Sequence, residues 1–148
     1  MQGRCKVFFT LGYQRHSVDS MLEVLAENGV DLLIDVRENP VSRKAGFSAS
    51  KLKGELERAG ICYVHYPCLG TPPQIREKYQ RTGDAKAALK SYAKYLNNKT
   101  TFLKSLIEFA SPKRFCLLCL ESDPSLCHRG IIADKLAEMI QCCPTHLT

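Results

Sequence analysis

Three consecutive residues late in the chain, Cys127, His128 and Arg129, join a nucleophile, a proton carrier and a fixed cation. They follow the apolar run Arg114-Phe115-Cys116-Leu117-Leu118-Cys119-Leu120-Glu121 and open a helical pattern. That places them where a strand ends and a helix begins. Free backbone N–H groups and the positive end of a helix dipole collect anions at such a junction. A cysteine there loses its proton more easily than a free thiol. Cys127 is therefore a candidate nucleophile, set against the plainer reading of a half-buried thiol that tucks the helix onto the sheet. Arg129 sits in a first helical turn, where the dipole prefers carboxylates. It is expected either to hold an anion or to pair with a buried acid such as Glu121 or Asp35. His128 is either solvent-facing or a hydrogen-bond donor. A thiol phosphatase loop is not supported, because it needs an arginine six positions after the cysteine, where this chain has Ala133.

Other chemistry-bearing residues fall at the ends of apolar runs. Asp35 and Arg37 close one run as Asp-Val-Arg and leave on the same face. Asp35 either caps a neighbouring loop or moves protons. Arg37 and Arg43, with Lys44, form a basic edge suited to phosphate or sulfate. Glu121 is a candidate general acid or base. Tyr13 and His16 flank an earlier loop, and Gly12 lets backbone approach a ligand closely. Catalytic roles are thus expected of Cys127, Glu121 and Asp35, and anion binding of Gly12, Tyr13, His16, Arg37, Arg43, His128 and Arg129.

The elements that must position these residues alternate along the chain. Lys6 to Leu11 reads as a buried strand, and Ser17 caps a helix with Val18, Met21, Leu22 and Leu25 as its stripe. Asn28-Gly29 stops it. Val30 to Val36 is a second strand, and Pro40 opens a loop up to Phe47. Ser48 or Ser50 caps a helix carrying Leu52, Leu56 and Ala59, and Gly60 ends it. Ile61 to Tyr66 is a third strand. After an irregular stretch with Pro67, Gly70, Pro72 and Pro73, a helical region breaks at Thr82-Gly83-Asp84 and resumes with Ala88, Leu89, Tyr92, Tyr95 and Leu96 inward. A helix over Thr101 to Ala110 precedes Pro112, Arg114 to Leu120 is the fourth strand, and the last helix carries Ile132, Leu136, Met139 and Ile140.

Strands apolar throughout, separated by amphipathic helices, predict a single α/β domain over 1–148 with a mainly parallel sheet of four or five strands covered on both faces. The expected order, 3-2-1-4, puts a switch point between the first and fourth strands, where open α/β sheets bind ligands.

A length of 148 residues is one ordinary domain, with 45% hydrophobic and 24% charged residues. No run approaches the roughly 18 apolar residues of a membrane span, and Met1 to Thr10 lacks the build of a signal peptide. The expectation is a cytoplasmic protein with no membrane contact, a monomer or small homo-oligomer. Of the eight cysteines, Cys5, Cys62, Cys116 and Cys119 fall in predicted strands and read as small hydrophobes. Cys116 and Cys119 mimic a Cys-x-x-Cys pair, but an odd offset on a strand points them to opposite faces. Cys142, Cys143 and His146 lie in a short tail after the last helix. No metal and no cofactor are expected.

The net charge is +6, concentrated between Arg76 and Lys99, where seven basic residues face two acidic ones. Lys86, Lys90 and Lys94 repeat every four residues. They form either a solvated basic face or a nucleic-acid contact stripe. Such a field favours an anionic small molecule or nucleic acid as partner.

Read together, Thr10-Leu11-Gly12-Tyr13, Val30 to Arg37, Gly60 to His65, Leu69-Gly70 and Leu118-Cys119-Leu120-Glu121 with Cys127-His128-Arg129 resemble the domain of unknown function 488 family. The resemblance covers nearly the whole chain. It implies a small α/β domain of mainly bacterial and archaeal cytoplasmic proteins and carries no activity. Matching the family motifs picks out Gly12, Tyr13, Asp35, Arg37, Pro40, Ser42, Arg43, Phe47, His65, Leu69, Gly70, Glu121, Cys127, His128 and Arg129, which adds His65 to the anion-binding set. Thr71 stands where many members double the glycine. Leu33 to Glu38 also resembles a strand of rhodaneses, whose cysteine loop is missing here.

The function expected from these residues is an enzyme acting on a phosphorylated, nucleotide or nucleic-acid substrate. The alternative is a non-catalytic nucleic-acid or nucleotide binding module using the 76–99 surface.

Overall fold

The computed structural model describes residues 7–148, so Cys5 and Lys6 lie outside the described residues. Five strands form one parallel sheet: β1 (Phe8–Gly12), β2 (Leu32–Asp35), β3 (Cys62–His65), β4 (Phe115–Cys119) and β5 (Pro144–Leu147). Six α-helices connect them: α1 (Val18–Glu27), α2 (Ala49–Arg58), α3 (Pro73–Thr82), α4 (Ala85–Asn97), α5 (Thr100–Ala110) and α6 (His128–Ile140).

Alternation along the strands divides the core in two. Phe8, Leu32, Ile34, Phe115, Leu117 and Cys119 face Tyr92, Leu96, Leu103, Leu106, Ile132 and Leu136 of α4, α5 and α6. Phe9, Leu11, Leu33, Cys116 and Leu118 face Met21 and Leu25 of α1 and Leu52 and Leu56 of α2. Cys116 and Cys119 do project to opposite faces. Local signals act as their chemistry dictates. Ser17 and Ser20 form a reciprocal cap on α1, and Gly83, at φ 70°, separates α3 from α4, which Asp84 then caps.

The strand order is 3-2-4-1-5, not 3-2-1-4. β4 lies between β1 and β2, with Leu32 opposite Phe115 and Phe9 opposite Cys116. All five of its residues are buried, as a central parallel strand requires. The segment read as a tail is the edge strand β5, tied to β1 by a 2.6 Å hydrogen bond between His146 Nδ1 and Thr10 Oγ1. The crevice keeps its partners despite the new order. β1 and β4 are neighbours whose connections leave in opposite directions. Among the described residues no helix is long and apolar enough to cross a membrane.

Candidate functional site

The turns after β1 and β4 meet at the carboxyl edge of the sheet. Tyr13 N–H donates to the Cys119 carbonyl (3.0 Å) and Gln14 N–H to that of Leu120 (2.9 Å). Gly12 is needed here for packing. A Cβ on it would lie 1.7 Å from the Glu121 carbonyl oxygen, so the chain itself makes a close approach here. Beside this seam an open cavity of about 330 Å³ is lined by Gly12, Arg15, His16, Ser122, Asp123 and Leu147. His16 also bonds Ser20 Oγ through Nδ1 (2.9 Å), and burial, then Lys44, lowers its pKa. Arg43 is exposed, and Lys44 Nζ donates to the Gln14 carbonyl (2.8 Å).

Asp35 and Arg37 form a buried network on the α1–α2 side. Asp35 accepts from Arg37 N (3.1 Å), Nε (2.9 Å) and NH2 (2.7 Å), and from Tyr63 Oη (2.5 Å). Arg37 donates further to Tyr13 Oη and the Phe47 carbonyl, and Tyr13 stacks on Phe47 at 4.5 Å. Burial opposes the charge on Arg37, but the hydrogen bond and charge of Asp35 more than offset it and hold the guanidinium protonated. Burial, and then the Asp35 carboxylate, raise the Tyr63 phenol. Asp35 is fully buried and Arg37 only 7% exposed, and each spends its polar atoms on the other and on Tyr63, Tyr13 and the Phe47 carbonyl. His65, partly buried, spends Nε2 on the Arg37 carbonyl at 2.6 Å.

On the opposite side lies the Cys-His-Arg turn. A short 3-10 turn, Pro124–Leu126, leads into Cys127, which is the N-cap of α6. The junction read from the sequence is thus where the structure puts it. Cys127 lies in the core, 2% exposed, and is joined by a disulfide to Cys119 at the end of β4. His128 Nε2 lies 2.8 Å from the Val36 carbonyl, while Nδ1 lies 3.7 Å from Cys127 Sγ. A carbonyl only accepts, so Nε2 carries the proton. Burial lowers the pKa of this imidazole, against the opposing pull of the Val36 carbonyl, and Nδ1 faces the Cys127 sulfur with its lone pair. The Tyr92 ring packs edge-on at 5.3 Å.

Arg129 is fully buried, with its guanidinium turned into the protein. NH1 donates to the Glu121 carbonyl (2.5 Å) and to Cys119 Sγ (3.4 Å), and NH2 to the Ser122 carbonyl (3.3 Å). The expected partner Glu121 is present through its backbone, not its carboxylate. Burial raises the pKa of that side chain, which its own backbone and then Arg129 oppose. Among the described residues Arg129 has no ion pair, and its Nε is buried without an acceptor.

Sequence reasoning missed Cys119, Tyr63 and Arg15. Cys119 was weighed against Cys116, whereas its spatial partner is eight residues on, and one donor atom from each of Cys119, Cys127 and His128 lies within 4.8 Å of the others. The partial signal was position alone: Cys119 ends an apolar run, next to the turn that leads to Cys127.

The arrangement is a parallel α/β domain with a buried cluster of two disulfide-linked cysteines and an imidazole at the carboxyl edge of its central strand. The family model described as a domain of unknown function, DUF488, matches residues 17–136, and the chain belongs to that family. Comparison with curated proteins and with solved structures gives no match.

Proposed function

We propose that this protein is an enzyme acting on a phosphorylated or nucleotide substrate. Its reacting centre is the Cys119–Cys127–His128 cluster, and its anion rim is Arg15, His16 and Arg43. The observation that carries the reading is the fixed tautomer of His128. The Val36 carbonyl holds the proton on Nε2, so Nδ1 is directed at Cys127 Sγ, ready to take up or return a proton. Once the Cys119–Cys127 disulfide is reduced, a thiol and a neutral imidazole in this relation, at a helix N-cap, suit group transfer. The rim supplies the charge that Arg129 and Arg37 do not, since Arg15 and Arg43 are exposed and Arg15 lines the cavity at the seam. Ser122 and Asp123 of that cavity belong to the loop that runs into Cys127.

Turnover of a panel of phosphomonoesters and nucleotides, and calorimetric binding of inorganic phosphate, test this. Arg15→Ala is expected to weaken phosphate about tenfold, the loss of roughly 1.4 kcal/mol from one charge-assisted contact. Cys127→Ser is expected to keep binding and lose turnover. Phosphate affinity unchanged in both Arg15→Ala and Arg43→Ala would remove the reading.

One observation favours a second reading, a non-catalytic nucleic-acid module. Lys86, Lys90 and Lys94 on α4 are all exposed, and none is in an ion pair among the described residues. Oligonucleotide binding indifferent to added salt would exclude it, because phosphate contacts release counterions.

A further inference from the structure

The same cluster carries a more specific assignment, which rests on the reading of Cys127 and His128 as the reacting centre. We propose that, with both thiols reduced, Cys119, Cys127 and His128 bind one zinc-like divalent cation through two sulfurs and Nδ1, leaving a fourth position for an oxygen anion.

Three observations converge on it. The first is the donor set: the three donor atoms lie within 4.8 Å of one another, and a tetrahedral zinc site wants them about 3.5 Å apart. The same two sulfurs are joined as a disulfide in this structure, so the donor set exists only in the reduced chain. The second is the orientation of the imidazole. Metal-ligating histidines almost always give their other N–H to a carbonyl or carboxylate, and His128 does so to the Val36 carbonyl at 2.8 Å, with the Tyr92 ring against its side.

The third is charge. The Arg129 guanidinium is buried beside Cys119 Sγ at 3.4 Å with no ion pair among the described residues, and its Nε lacks an acceptor. A buried cation calls for a negative partner. Two thiolates and a divalent ion cancel each other, so an anionic fourth ligand adds to the negative charge that Glu121 and Asp123 set around Arg129. This selects an oxygen anion for the open position and agrees with an anionic substrate. Binding releases the two thiol protons to solvent, and the disulfide form cannot bind.

The test uses the full chain, reduced and kept free of oxygen, titrated with Co²⁺ and then Zn²⁺. One Co²⁺ per chain is expected, with sulfur-to-cobalt charge-transfer absorption, displaced by one equivalent of Zn²⁺. Cys119→Ser and Cys127→Ser should each weaken that absorption and lower affinity at least about tenfold. Cys62→Ser and Cys143→Ser, at exposed cysteines, should not. Because the buried serine variants could unfold, a second measurement uses the unmutated chain: Zn²⁺ should block oxidation of Cys119 and Cys127 to the disulfide, read by peptide mapping. Absence of a stoichiometric cobalt complex, a complex that survives in both serine variants, or oxidation at the same rate with and without Zn²⁺ overturns the assignment. Phosphate binding is scored separately. A chain that binds phosphate but no metal refutes this inference alone, and one that binds metal but no anion refutes the proposed function.

Discussion

Asp35→Ala separates a structural ion pair from a working one. The carboxylate accepts four hydrogen bonds, three from Arg37 and one from Tyr63, and is completely buried. Removing it leaves a buried guanidinium unpaired, which costs about 3–5 kcal/mol. Against a total of roughly 5–15 kcal/mol, that is about a fifth or more of the stability. At roughly 2–4 °C per kcal/mol for a chain of this size, the melting temperature should fall by about 6–20 °C. Arg37→Met also leaves the Phe47 carbonyl without its 2.8 Å donor, at about 1–3 kcal/mol. The double variant Asp35→Ala/Arg37→Met removes both charges together and should be less damaging than the sum of the singles by at least about 2 kcal/mol. Urea denaturation of the four proteins gives the cycle. A loss below about 1 kcal/mol in Asp35→Ala, with singles that add, would show that the pair is not the buried clamp described here and would return Asp35 and Arg37 to the list of working groups.

Three further outcomes follow from the same geometry. Gly12→Ala drives a methyl group into the Glu121 carbonyl and should cost about 3 kcal/mol by urea denaturation; a change within 0.5 kcal/mol would mean the seam between β1 and β4 is loose. In the metal-free chain Arg129→Gln should leave phosphate affinity at the Arg15 rim within about twofold while speeding proteolysis in the 121–126 loop, whose carbonyls it holds; a tenfold loss of phosphate would give Arg129 the anion role. His16 and His146 both have pKa values lowered by burial first, with Lys44 adding at His16, and Arg129 adding and Asp134 opposing at His146. Their stabilisation is therefore present above about pH 6.5 and is lost as pH falls toward the folded-state values, because the unfolded chain then binds more protons. The urea midpoint should drop between pH 7.5 and 5.5, and less so in His16→Gln/His146→Gln; an equal drop would contradict the shifts.

Most of the architecture was legible because it is written in local signals. Ser17, Asn28-Gly29 and Thr82-Gly83-Asp84 mark helix ends by hydrogen bonding and φ, and uniformly apolar runs mark parallel strands. The order of the strands was not, since β1, β2 and β4 are alike in hydropathy and nothing local says which is central. β5 was missed because Pro144 to Leu147 is short, partly exposed and holds its place by pairing with β1. At the site, the junction before α6 could be read from Cys127, but whether Arg129 points out or in depends on the carbonyls of Glu121 and Ser122, which no residue-type rule reveals. The pairing of Cys119 with Cys127 likewise depends on the path of the loop between them.

The central claim, that His128 turns an unprotonated Nδ1 toward Cys127, is tested most directly by long-range proton–nitrogen NMR of the imidazole rings in the reduced protein at neutral pH. The account predicts a neutral His128 ring with its proton on Nε2, and an Nδ1 resonance that moves when Cys127 is replaced by serine. A proton found on Nδ1, or an Nδ1 signal indifferent to Cys127→Ser, would contradict it.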